Sequence, residues 1–555
     1  MNLTPLSSWQ RFLGLLQLER SDILQIFYYA IFAGLVALSL PLGIQAIINL
    51  IQGAQLSTSW IILVILVTIG VLFSGALQLM QLRIIETIQQ RIFTRSSFEL
   101  SYRFPKIKME TLRNYYPPEL ANRFFDTLTT QKGLSKILID VPSALLQIIF
   151  ALILLSFYHP FFIIFGLLLL LLIYTLFRFT AKKGLKTSLQ ESKNKYKVAH
   201  WIQEIARAVV SFKLSGNTSL ALNKNDALVT GYLEARENHF KVLMFQFIQM
   251  ISFKVVVTAG LLLIGGALVL NQEMNIGQFV AAEIIILLVI NSVEKLILGL
   301  GTFYDVLTSI EKLGEVVDKD LESQEGETPS YESGLTIELE QVSYRVTNRD
   351  QPILHAISLE VAPGSRILIR GESGSGKSSL LRLIAGVIEP TSGKLFVNNA
   401  SLESLYLNHY RSQLGLSLSE ESPFEGTIRE NITFGDTSIT DEAIFRALEN
   451  VGLARFIKEQ PKGLQTVLYP EGRQISYTVS KKIVLARAIV KQPKVLILED
   501  PLDQFHPEET RNIINFLTSP EHPWALLVVS SNDQWRDKCH RVITLKNGKI
   551  DPKTE

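Results

Sequence analysis

Six apolar stretches limit what this chain can fold into: Ile23–Ile51, Trp60–Leu82, Lys136–Tyr158, Pro160–Phe179, Met244–Leu270 and Gly277–Leu300. Each supplies the about 20 helical residues that cross a hydrocarbon core. The first holds Pro41 and Gly43 and no small-residue cleavage site follows it, so it is not read as a removable leader. A bilayer tolerates such a proline when neighbouring helices satisfy the carbonyl it frees. The links Gln52–Ser59, Tyr158–His159 and Asn271–Ile276 contain no Lys or Arg, whereas Arg83–Ser135 and Ala181–Leu243 are long and rich in both. Lys and Arg stay on the cytoplasmic side. The expectation is therefore an inner (cytoplasmic) membrane, multi-pass chain with both termini cytoplasmic. A cytoplasmic segment, 1–22, precedes an all-α six-helix transmembrane domain, 23–317.

The two basic links read as membrane helices that run far past the bilayer and are joined at their tips. Coupling helices are expected near 119–136 and 201–216, on the amphipathic runs Glu119–Lys136 and Trp201–Gly216. Ionisable residues inside the apolar stretches are few: Lys254, Glu283, Glu294 and Lys295. Glu283 lies deeper from the outer side and is expected to line the transport path. Lys254, Glu294 and Lys295 lie nearer the cytoplasmic boundary and are expected to reach the interface. The rest of the composition narrows the class. Lys+Arg 54 against Asp+Glu 52 gives +2, so no basic field argues for nucleic acid. The one cysteine, Cys539, excludes an intrachain disulfide framework.

An acidic, turn-rich linker, 318–334, separates the apolar half from residues 335–555. There short apolar runs alternate with helical segments, which predicts an α/β domain, with antiparallel strands added by "LTIELEQVSY" and by "RVITLKNGKI". Its sharpest motif is "GESGSGKSS", Gly371–Ser379, between an apolar strand (Arg366–Arg370) and a helix. That context suits a phosphate loop: glycines let backbone N–H groups curl around phosphates, Lys377 reaches the β/γ-phosphates, and Ser378 can ligate Mg²⁺. Gly371, Ser373, Gly374, Ser375, Gly376, Lys377, Ser378 and Ser379 are accordingly the expected ATP contacts. A second apolar strand, Val495–Leu498, ends in Glu499 and Asp500, and a carboxylate there can hold Mg²⁺ through water.

Together with "FEGTIRENI" (Phe424–Ile432) and "LARAIVKQPKVLILED" (Leu485–Asp500), this order of parts resembles a half-transporter of the ATP-binding cassette (ABC) exporters. The membrane half is most similar to the type I secretion and toxin-export group. Peptidase-bearing relatives carry an N-terminal protease domain; with 22 residues ahead of the first apolar stretch, none is expected here. The resemblance places site residues by motif. Val346, with Tyr344 before it, falls where the family stacks adenine, and Ser419 falls where it has a γ-phosphate-sensing Gln. The partner-site signature becomes Ile475-Ser476-Tyr477-Thr478-Val479, so Ser476 survives while Tyr477 and Thr478 replace glycines. Glu499 and Asp500 stand at the magnesium and catalytic carboxylates in exchanged chemistry, and Ser531 stands at the switch His.

These departures burden cleavage more than binding. A signature without glycines cannot approach the γ-phosphate as closely. Asp500 is a methylene shorter than Glu, and an angstrom of misplacement can cost about a hundredfold. Ser531 cannot titrate near neutral pH. The expected protein is an ATP- and Mg²⁺-using exporter with slow hydrolysis, working as a homodimer or as a heterodimer with a second half-transporter in membrane lipid. A periplasmic adaptor is a further partner that the secretion resemblance implies. The competing expectation is an ATP-responsive membrane scaffold or gate that does not cycle.

Overall fold

The structure, a computed structural model, describes residues 7–53, 58–113, 115–332, 334–346 and 351–552; the side chains of 169, 172, 173 and 175–181 lie outside the description. The described chain divides into two compact units. One holds residues up to Pro105 and from 115 to Lys319; the other holds Lys106–Arg113 and the residues from Asp320 onward.

The first unit is helical. A short helix, α1 (Ser8–Leu18), precedes α2 (Arg20–Gln52), α3 (Thr58–Arg103), α4 (Asp126–Ser156), α5 (Phe161–Arg207), α6 (Leu220–Gly260) and α7 (Ile276–Val317). Among the described residues, five helical spans are long and apolar enough to cross a membrane: Arg20–Gln52, Thr58–Lys106, Pro117–Ser156, Leu220–Leu270 and Ile276–Val317. The expected stretch Pro160–Phe179 opens the 47-residue α5, where part of the side chains fall outside the description. α2 breaks between Ala37 and Ser39. Pro41 causes this: it offers no N–H to the carbonyl of Ala37, and its ring crowds that carbonyl. Two residues on, Gly43 lets α3 come close, since a Cβ there would stand 2.1 Å from Val67 Cγ2.

The core of this unit follows helical spacing. Ala144, Ile148, Ala151 and Leu155 of α4 form a 4-3-4 stripe that packs in one cluster with Ala282, Ile286, Val289, Val293 and Ile297 of α7. Asn275 opens α7 with a capping box: its Oδ1 accepts from Gln278 N at 2.7 Å while Gln278 Oε1 accepts from Asn275 N at 2.9 Å. The expected ends of the basic links fall as follows. Glu119–Lys136 covers a short helix, a 3₁₀ turn and the first turns of α4, with Asp126, Thr127 and Thr130 buried. Trp201–Gly216 covers the end of α5, a break at Ala208 and the helix Val209–Leu214.

The second unit is α/β. Strands β1 (Ile337–Tyr344), β2 (Leu354–Val361) and β4 (Ser392–Val397) form an antiparallel sheet in the order β2-β1-β4. β5 (Leu414–Ser417), β6 (Val495–Glu499), β7 (Ala525–Val529), β3 (Arg366–Gly371) and β8 (Arg541–Lys546) form a parallel sheet in the order β5-β6-β7-β3-β8, and β9 (Lys549–Ile550) adds an antiparallel edge. Alternation along the strands feeds two cores. Ile367, Ile369, Val495 and Ile497 face one; Leu368, Leu496, Leu498 and Leu526 face the other. Apolar cover on both faces is why these strands read as unbroken Val/Ile/Leu runs.

Eight residues from the other end of the sequence belong to this unit. Ile107 bridges to Leu321, and Lys108 N donates to Asp320 O at 3.0 Å. Lys108 Nζ meets Glu389 at 2.8 Å, and Glu110 Oε1 accepts from Glu389 N at 2.8 Å. The Arg113 guanidinium donates to the Tyr344 hydroxyl.

Candidate functional site

The site grows from the end of β3, where the chain turns sharply before helix α8 (Lys377–Ile384). Gly374 and Gly376 take φ +81° and +101°, which side chains resist. Space is refused as well as conformation. A Cβ on Gly371 would stand 2.3 Å from Leu545 O, and one on Gly376 would stand 2.7 Å from Leu354 Cδ2. Gly376 O accepts from Leu380 N at 2.9 Å and starts α8. Ser373 lies exposed at the crest, and Ser379 lies half-buried in the first turn of α8. Lys377 Nζ folds over the loop and donates to Gly371 O and Glu372 O, each at 2.8 Å.

Glu499, buried at the end of β6, holds this loop to a neighbour. Its Oε1 accepts from the Ser378 hydroxyl; its Oε2 accepts from Ser419 N at 3.3 Å and Ser419 Oγ at 3.1 Å. Three expected residues from distant parts of the chain thus meet on one carboxylate. Asp500 follows at φ +41°, with its N–H bonded to Val529 O at 2.9 Å. Burial, then the charges of Glu499 and Asp503, push its carboxyl above the ordinary aspartate range, while Lys377 and Lys481 pull it down.

The residues present fit ATP and Mg²⁺. The cradle rejects a Cβ at Gly371 and Gly376, and the Ser375 hydroxyl is buried inside it without a hydrogen-bond partner. Ser378 and Glu499 put two oxygen donors side by side, which suits a hard cation that keeps phosphate and water as its other ligands.

The remaining expected residues sit at the margins. Val346 packs on the sheet core, and Tyr344 is 2% exposed with its hydroxyl taken by Arg113. Ser531 is exposed on the loop after β7. Ser476 caps helix α9 (Tyr477–Ile489): its Oγ accepts from Val479 N at 3.3 Å and lies 3.1 Å from Thr478 Oγ1. Tyr477 is 45% exposed, so its ring stands out from the surface at a position where the resemblance implies glycine.

In the membrane unit, Glu283 is half-buried on α7 between buried Ala282 and Ile285. Lys254 and Glu294 meet each other: the Lys254 ammonium bonds the Glu294 carboxylate between α6 and α7. Two charges inside an apolar stretch are less costly joined than apart.

Sequence reasoning passed over Lys481. On α9 it is 5% exposed, and its Nζ donates to Ser419 O and, at 3.4 Å, to Glu421 O. The available signal was its setting: the pair Lys481-Lys482 leads straight into the apolar run "IVLARAI", where a side chain has little solvent to reach.

Comparison with known proteins matches residues 23–293 to the family described as ABC transporter transmembrane region, and 354–503 to the family described as ABC transporter. An ATP-dependent lipid A-core flippase of Burkholderia orbicola (strain AU 1054) is 29% identical over 306 residues, which are 55% of this chain and 50% of the flippase. The alpha-hemolysin translocation ATP-binding protein HlyB of Escherichia coli O157:H7 is 28% identical over 327 residues, 59% of this chain and 46% of HlyB. The chain thus spans about half the length of the curated relatives it matches. A bacterial Atm1-family ABC exporter with ATP bound shares the fold at a TM-score of 0.85 and 15% identity, over 96% of this chain and 94% of that one.

Proposed function

Because the chain belongs to the ABC transporter family, with its transmembrane and nucleotide-binding parts fused, we propose that it is an exporter that holds ATP firmly and cleaves it slowly while moving cargo across the inner membrane. One observation carries this. The phosphate cradle is whole and already braced, with Lys377 on its own loop and Ser378 on Glu499, while Asp500, Ser531, Tyr477 and Thr478 occupy the positions where the family places its cleavage groups. Two such domains pair head to tail in this family, either two copies of this chain or one copy with a second half-transporter. In either pairing each composite site carries at least one of these changes. Type I secretion is the narrower reading, supported by the similarity to HlyB.

Purified full-length protein in lipid tests it. Mg·ATP is expected to bind, with phosphate released far below the roughly 10 s⁻¹ typical of enzymes. Brisk release would refute the slow-cleavage half, and absence of binding would refute the whole. Glu283 is proposed to line the cargo route. Glu283→Gln is expected to cut ATP-driven uptake of a charged fluorescent amphiphile into inside-out vesicles several-fold without changing ATP binding; unchanged uptake would remove that role.

A further inference from the structure

The first lysine after the signature, Lys481, has no assigned task. Lys481 is nearly sealed from water, on a helix whose neighbours Ser480, Lys482, Ile483, Val484, Leu485 and Ala486 are also buried. Burial of an ammonium demands compensation. Its neighbour shows the ordinary solution: Lys482 Nζ pairs directly with the Glu509 carboxylate of helix α10 (Pro507–Leu517). Lys481 is held differently. Its hydrogen-bond acceptors are the carbonyls of Ser419 and Glu421, and the Tyr477 ring centroid lies 5.7 Å from Nζ. Carbonyls satisfy its N–H groups without neutralising it. The groups that face it electrostatically are Glu421, Glu499, Asp500 and Asp503. Burial pulls it toward the neutral form and those four carboxylates pull it back.

We propose that Lys481 is a resident cation of the nucleotide site: locked beneath the Ser419 loop, it offsets the carboxylates of Glu499, Asp500 and Asp503, so that the site accepts a nucleoside triphosphate with little help from a divalent metal. The physical reason is charge balance. A triphosphate brings several negative charges to a place already lined by acids, and Mg²⁺ would ordinarily screen the two from each other. A fixed ammonium under a low-dielectric wall performs part of that screening continuously. Through its bonds to the Ser419 loop it also fixes the partner of Glu499 Oε2, which makes Lys481 a positioning residue rather than a phosphate contact.

The inference rests on the proposed nucleotide binding, and one experiment separates the two. The full-length protein in lipid nanodiscs is titrated with mant-ATP, once with Mg²⁺ and once with EDTA, and the ratio of the two Kd values is read. Wild type is expected to keep EDTA binding within about tenfold of its Mg²⁺ value. Lys481→Gln, which keeps a donor and removes the charge, is expected to widen the ratio about tenfold, equivalent to about 1.4 kcal/mol. Lys481→Arg should restore it, and Lys482→Gln, the same charge loss aimed at Glu509, should leave it alone. Melting curves check that each variant is folded, and Lys481→Met takes the place of Lys481→Gln if the latter is not. A ratio within twofold of wild type in the uncharged variant overturns the inference, as does a wild type that binds nothing in EDTA. No binding even with Mg²⁺ overturns the nucleotide reading and this inference with it.

Discussion

Lys377→Ala is expected to weaken ATP binding by about a hundredfold and to remove any phosphate release above background. The side chain ties no distant part of the fold. It folds over its own loop onto Gly371 O and Glu372 O, at 2.8 Å each, and stands half-buried at the mouth of the cradle. Truncation therefore leaves two carbonyls to water, and the domain should melt as wild type does. What disappears is a full positive charge beside a triphosphate. At about 4 Å and an effective dielectric constant of 20, such a pair is worth about 4 kcal/mol. Rehydration of the phosphates returns part of that, and a hundredfold corresponds to about 2.7 kcal/mol. Titration with mant-ATP gives the affinity, and a coupled phosphate assay gives the rate. Wild-type affinity in the variant would mean that residues 371–379 do not grip phosphate.

The second large effect runs in the opposite direction. Asp500→Glu combined with Ser531→His is expected to raise phosphate release about ten- to a hundredfold. The backbone of Asp500 is anchored by its N–H to Val529 O at 2.9 Å, so a longer side chain extends into the site rather than displacing the turn. The added methylene restores reach of about an angstrom, the scale on which positioning changes rates by about a hundredfold. The imidazole adds a group that can donate or accept a proton near neutral pH. Ser531 is exposed, so the ring can be accommodated. Tyr477 and Thr478 still stand at the signature, which keeps the gain short of a fully active pump. An unchanged rate in the double variant would show that these two positions do not carry cleavage.

The phosphate loop was legible because its requirements are local. Gly374 and Gly376 need positive φ, a strand must precede and a helix must follow, and all of this is written within about twenty consecutive residues. The strand-end acids were legible for the same reason, and short apolar runs alternating with helical segments pointed to the α/β domain. The partners were harder to read. Nothing near Glu499 says that Ser378 and Ser419, 121 and 80 residues away, would share its carboxylate; the resemblance named the three positions, and the fold brings them together. Lys254 and Glu294 each read as a solitary charge near the cytoplasmic boundary, because a pairing 40 residues apart depends on how two helices face each other. Lys481 was hidden by its type, since a lysine on a helix ordinarily reaches water.

The segment Lys106–Arg113 carries a practical consequence. A nucleotide domain excised at Asp320 would leave behind the bridge partner of Leu321, the donor to the Tyr344 hydroxyl and both groups that meet Glu389. Tyr344 sits on β1, at the edge of the very core that the phosphate loop leans on. Truncation there unseals one wall of the domain, so a soluble fragment would be a poor stand-in for nucleotide work, and supplying residues 106–113 as a free peptide should partly close the gap.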